Sequence, residues 1–143
     1  MVVRRLVVLV LVLAGMQGVS SRPALAASDP VRMTFDKAAV ADGVWEGTVS
    51  GDIEGRLRTV LLTVEGTGPI WHVTFDWIIA SSECSFTARL DGVLNTKTGT
   101  VVMAGTVTEG CLLGARVQET GQLVDAATSR FTGSITVFPT TRG

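Results

Sequence analysis

The sequence predicts an all-β fold: one antiparallel domain of eight strands running up and down around a barrel, with a β-sandwich as the alternative. Three observations predict it. No stretch carries helical periodicity, while Val, Thr, Ile and aromatic residues are abundant. Gly and Asp/Asn turn signals recur at intervals short enough for hairpins. Two segments alternate cleanly between apolar and polar residues, the mark of a sheet with one dry and one wet face.

The clearest alternation lies in Ile70–Ala80. Trp71, Val73, Phe75, Trp77 and Ile79 share one face, and His72, Thr74, Asp76 and Ile78 the other. Arg130–Phe138 repeats the pattern with Phe131, Gly133, Ile135 and Val137 opposite Arg130, Thr132, Ser134 and Thr136. The remaining candidate strands are Val31–Phe35, Val44–Gly51, Gly55–Val64, Cys84–Leu94, Thr100–Thr108 and Cys111–Val124. Gly47-Thr48-Val49-Ser50, Gly105-Thr106-Val107-Thr108 and Gly133-Ser134-Ile135-Thr136 share one form, each with its Gly on the apolar face. Glycine there admits a sharp bend or a close backbone approach, which a closing barrel requires.

Residues 1–26 read as a secretory signal peptide. Arg4 and Arg5 precede an apolar run from Leu6 to Ala14, and Ala24-Leu25-Ala26 has the small-x-small form of a cleavage site. The run is shorter than the roughly 20 residues that span a bilayer. Cleavage leaves residues 27–143 as the all-β domain, long enough to bury a real core. It also removes three of the twelve basic residues and none of the thirteen acidic ones, so the remaining domain carries a net charge of −4. A mildly acidic surface without clustered Lys or Arg argues against nucleic-acid partners and against docking on anionic lipid. No second apolar run of spanning length is present, so no membrane anchor is expected after cleavage. Cys84 and Cys111 are the only cysteines, and in an exported chain a pair predicts a disulfide.

The chemistry-bearing residues are sparse. His72 is the only histidine, too few for a zinc site with the cysteines oxidised. Asp76 shares its face but lies about 13 Å along an extended strand, out of hydrogen-bond reach. Asp52 and Glu54 fall in a turn, where acidic residues are ordinarily solvated. No phosphate-cradling loop, calcium loop or glycosylation sequon is present, and no cofactor or metal is implied. Strand phase makes Glu46, Arg58 and Arg89 the candidates for an inward ionisable group, which a cyclase- or isomerase-type barrel enzyme would need.

Gly43-Val44-Trp45, at the start of a strand, resembles the Gly-x-Trp signature of lipocalins and related calycin barrels. The resemblance implies a secreted barrel with a ligand-holding lumen. It also implies that Trp45 closes one end beneath an Arg of the last strand region, here Arg130 or else Arg142. Secreted barrels resembling allene oxide cyclase or avidin have the same strand number.

These readings converge on non-catalytic binding outside the cytoplasm. The expected partner is a small apolar ligand held by Trp71, Phe75, Trp77 and Phe86, because lined-up aromatics stack on apolar or sugar rings. The alternative is a protein-binding module, such as a secreted inhibitor or surface domain, with an interior filled by its own side chains. An open interior of several hundred Å³ favours the first, and a filled one the second.

Overall fold

The structure, a computed structural model, describes residues 29–140. The expected signal segment with its expected cleavage point, and Arg142, lie outside the described residues. Eight strands form in chain order: β1 (Val31–Ala41), β2 (Val44–Gly51), β3 (Gly55–Thr67), β4 (Ile70–Ala80), β5 (Phe86–Asn95), β6 (Thr100–Gly110), β7 (Arg116–Asp125) and β8 (Arg130–Phe138). Each pairs antiparallel with the next. β1 pairs with β8 from Val31↔Val137 to Lys37↔Phe131, which closes an up-and-down barrel. The barrel reading therefore holds over the sandwich. The first strand runs six residues beyond Phe35, and β7 begins at Arg116, because Cys111–Ala115 forms a turn.

Inward positions follow the two-residue period. Met33, Phe35 and Lys37 point in from β1, and Val73, Phe75, Trp77 and Ile79 from β4. On the outside, the charges pair across neighbouring strands. Arg58 meets Glu46 at 3.6 Å, Arg89 meets Asp76 at 2.9 Å and Arg130 meets Asp36 at 2.6 Å. Glu46, Arg58 and Arg89 thus face solvent rather than the interior, a correction to the strand phase expected for them. Their neighbours Trp45, Gly47, Leu57, Thr59, Ala88 and Leu90 take the inward positions instead.

The glycines at the echoed motifs sit where strands press closest. A Cβ at Gly47 would strike the Asp36 carbonyl oxygen, one at Gly105 that of Arg89, and one at Gly133 that of Thr120. Gly133 and Gly121 are paired in register, and the Phe35 ring fills the space their missing side chains leave. Close approach and inward bending at these points are what let the sheet curl onto itself.

The two ends differ. At one end lie the start of β1, the end of β8 and the β2–β3, β4–β5 and β6–β7 connections. There Cys84 and Cys111 form a disulfide with Cα atoms 5.4 Å apart, clipping the β4–β5 loop to the β6–β7 turn. The Cys111 amide also donates to the Ser85 carbonyl at 2.9 Å. Ile53, Ile79, Phe86, Val107, Ala115 and Val137 are buried and fill this half. The other end carries the four remaining hairpins, with tight reversals at Asp42-Gly43 (Gly43 φ +73°) and at Thr98-Gly99 (Gly99 φ +77°).

The bridge closes a loop of sequence separation 27. Removing it with C84S/C111S should lower stability by about 3–4 kcal/mol in the chain-entropy view. Urea unfolding should show the midpoint falling while far-UV circular dichroism keeps its β signature. An unchanged midpoint would show that the staple does not constrain the unfolded chain.

Candidate functional site

The half of the barrel away from the disulfide is hollow. A cavity of about 270 Å³ opens toward the β3–β4, β5–β6 and β7–β8 hairpins. That is the volume of roughly nine liquid waters at about 30 Å³ each. Its walls are apolar: Leu61 and Val64 from β3, Trp71, Val73 and Phe75 from β4, Leu94, Val101, Met103 and Phe131. Trp45 joins them from β2 and packs edge-on against Phe75 and Phe131, at 5.5 and 6.5 Å between centroids. Its indole N–H donates to the Ser129 carbonyl oxygen at 3.0 Å, tying the wall to the β7–β8 turn.

Two ionisable side chains stand in this apolar chamber. Lys37 is 6% exposed and Glu119 is 2% exposed. Lys37 Nζ donates to Thr59 Oγ1 at 3.2 Å and lies 4.4 Å above the centroid of Trp77. The rings of Phe75, Trp45, Phe35 and Phe131 surround it at 5.2 to 6.0 Å. An ammonium over aromatic faces is held by the ring quadrupoles, more strongly where water is excluded. This box offsets part of the desolvation of the only lysine besides Lys97, which is exposed.

Glu119 has no such company. Its Oε1 is buried and makes no hydrogen bond, and its Oε2 lies close over Gly121. Three ion pairs form among the described residues, each with N···O within 4.0 Å, and Lys37–Glu119 is not one of them. An acid and an amine thus share a cavity without touching. Burial lowers the Lys37 ammonium to about 8, partly opposed by the Glu119 charge. Burial likewise raises the Glu119 carboxyl to about 8, partly opposed by Lys37.

The four expected ligand-contacting aromatics occupy different levels. Trp71 stands at the mouth, 38% exposed, its N–H donating to the Gly68 carbonyl at 3.0 Å. Phe75 is in the cavity wall, and Trp77 lies under Lys37, fully buried and edge-on to Phe35 at 5.1 Å. Phe86 packs in the filled half and does not line the cavity. Arg130 does not cross Trp45. It forms a two-pronged pair with Asp36 on the outer face, at 2.9 and 2.6 Å, and its guanidinium holds that carboxyl below the usual range. His72 faces outward and is exposed, as are Asp52 and Glu54. No group of three or more His, Cys, Asp or Glu comes together among the described residues.

Lys37 and Glu119, the two ionisable groups of the cavity, escaped the sequence reading. Lys37 falls beyond the predicted end of the first strand. Glu119 lies in Arg116–Thr120, where Val117 is the one apolar residue. The available signal was phase: Lys37 continues Met33 and Phe35, and Glu119 follows Val117.

No family model, no curated protein and no solved structure matches the chain.

The buried pair should imprint the stability profile. Folded Glu119 keeps its proton to about 8, whereas the unfolded carboxyl loses it near 4.5, so stability falls as pH rises between them. Folded Lys37 releases its proton near 8 while the unfolded amine holds it to 10.5, so stability rises over that second window. The two slopes meet in a minimum near pH 8, where the burial costs of both groups are present in full. Urea unfolding at pH 4.5, 8 and 10.5 should trace this dip. The K37M/E119L variant should flatten it and gain stability at pH 8, as replacing buried charges by packed apolar groups commonly does. A wild-type profile without the dip would refute the shifted pair.

Proposed function

We propose that the protein is a non-catalytic carrier, in an extracytoplasmic compartment, of a small apolar ligand with one oxygen-bearing end. The observation that carries this reading is the apolar cavity with a buried, unpartnered Glu119 carboxyl and a caged Lys37 at its polar end. A concave, largely apolar chamber with a few convergent polar groups is the usual form of a small-molecule site. With Glu119 protonated below about 8 and Lys37 charged, both polar groups offer protons at neutral pH. They therefore suit an acceptor: a carbonyl or carboxylate oxygen. The cavity volume suits about ten non-hydrogen atoms, with longer chains emerging past Trp71. The disulfide fits an oxidising compartment.

Native mass spectrometry of the mature protein after exposure to a mixed lipid extract tests the reading. One retained small molecule per chain is the expected result. Val101→Trp, which projects an indole into the cavity from β6, should abolish retention while the protein still unfolds cooperatively. No retained mass in the wild type, or equal retention in the filled variant, would end the proposal.

A further inference from the structure

Lys37 has a property that ligand carriage alone does not use. Two lysines stand in the chain beside ten arginines, and the one facing inward lies at an open cavity rather than in packed core. An arginine there would serve charge pairing equally well but would never lose its proton, whereas a desolvated lysine can act as a nucleophile. Its Nζ is oriented by the Thr59 hydroxyl on one side and by the Trp77 face on the other. Glu119 is the titratable group that shares the chamber. It stands outside ion-pair distance, and both groups line the same cavity.

We infer that the site captures apolar aldehydes covalently, with Lys37 forming a Schiff base inside the barrel and Glu119 supplying the proton for the dehydration step. This rests on the cavity being a ligand site. The neutral amine adds through its nitrogen lone pair to the carbonyl carbon, and the C=O π pair moves to oxygen. Proton transfer from nitrogen to oxygen gives a carbinolamine. Glu119 then protonates the hydroxyl, the C–O bond breaks, water leaves, and the nitrogen lone pair closes the C=N bond. Loss of the remaining N–H proton to the Glu119 carboxylate restores both groups, so one aldehyde and one amine give one imine and one water. With its ammonium lowered to about 8, Lys37 is mostly charged at neutral pH but keeps a reactive neutral fraction, while Glu119 holds its proton. The apolar walls exclude the bulk water that would hydrolyse the product. They also select a ligand whose body is apolar and whose reactive carbon sits at one end.

The test uses trans-cinnamaldehyde with sodium cyanoborohydride, read by intact mass and peptide mapping. Cinnamyl alcohol, which cannot form an imine, is the parallel ligand. Lys97 provides an internal exposed amine. The expected result is one cinnamyl group on Lys37, formed roughly tenfold or more ahead of Lys97, since each unit of lowered pKa raises the neutral-amine fraction tenfold. K37M should abolish it and E119Q should slow it, while binding of cinnamyl alcohol to the wild type is followed by tryptophan fluorescence. If cinnamyl alcohol and cinnamaldehyde both bind but Lys37 is not modified, the covalent inference fails and the carrier reading stands. If neither binds, both fail. Modification of Lys97 at the same rate would show ordinary amine reactivity and would also overturn the inference.

Discussion

Closure of β1 against β8 is the constraint on which the rest of this structure depends. Seven residue pairs, from Val31↔Val137 to Lys37↔Phe131, remove the last free edges of the sheet. They also convert one face into an interior. An open sheet would let Lys37 and Glu119 reach water by a small rotation of either strand. In the closed ring, the register that puts Phe35 over Gly133 and Gly121 also commits the next inward position of β1, Lys37, to the chamber. The glycines make this possible: a side chain at Gly133 would strike the Thr120 carbonyl oxygen, and one at Gly121 would strike the Glu119 carboxyl and crowd the Phe35 ring.

Within that ring the two halves are built on different principles. The stapled half obeys close packing, with aliphatic and aromatic groups filling it to the disulfide. The open half accepts a void and two ionisable groups, and both are expensive. The outer surface shows that the chain has ordinary means of neutralising charge: Glu46–Arg58, Asp76–Arg89 and Asp36–Arg130 all pair across strands. The interior pair is left apart. A cost of this kind, confined to one end of an otherwise filled barrel, is characteristic of a site rather than of a scaffold.

Much of the barrel was legible in the sequence because the relevant signal is local. Val44–Gly51, Ile70–Ala80 and Arg130–Phe138 are delimited as the structure has them, by flanking turn residues in all three and by alternation in the last two. The cysteine pair was legible from compartment chemistry. The polar floor of the cavity was not. Hydrophobic periodicity assigns a residue to the interior because it is apolar, so a charged residue facing inward is read as the end of a strand or as its wet side. Lys37 lies beyond the first predicted strand, which stops at Phe35, and Glu119 stands among Arg116, Gln118 and Thr120. Glu46, Arg58 and Arg89 were proposed as inward from phases that the actual register shifts by one position, which turns each of them outward.

The polarity of the barrel has a practical consequence. β1 begins and β8 ends at the end of the barrel that carries the disulfide, opposite the mouth beside Trp71. Tethering this protein to a bead, a cell envelope or a fusion partner through either end would leave the entrance beside Trp71 looking outward and unobstructed.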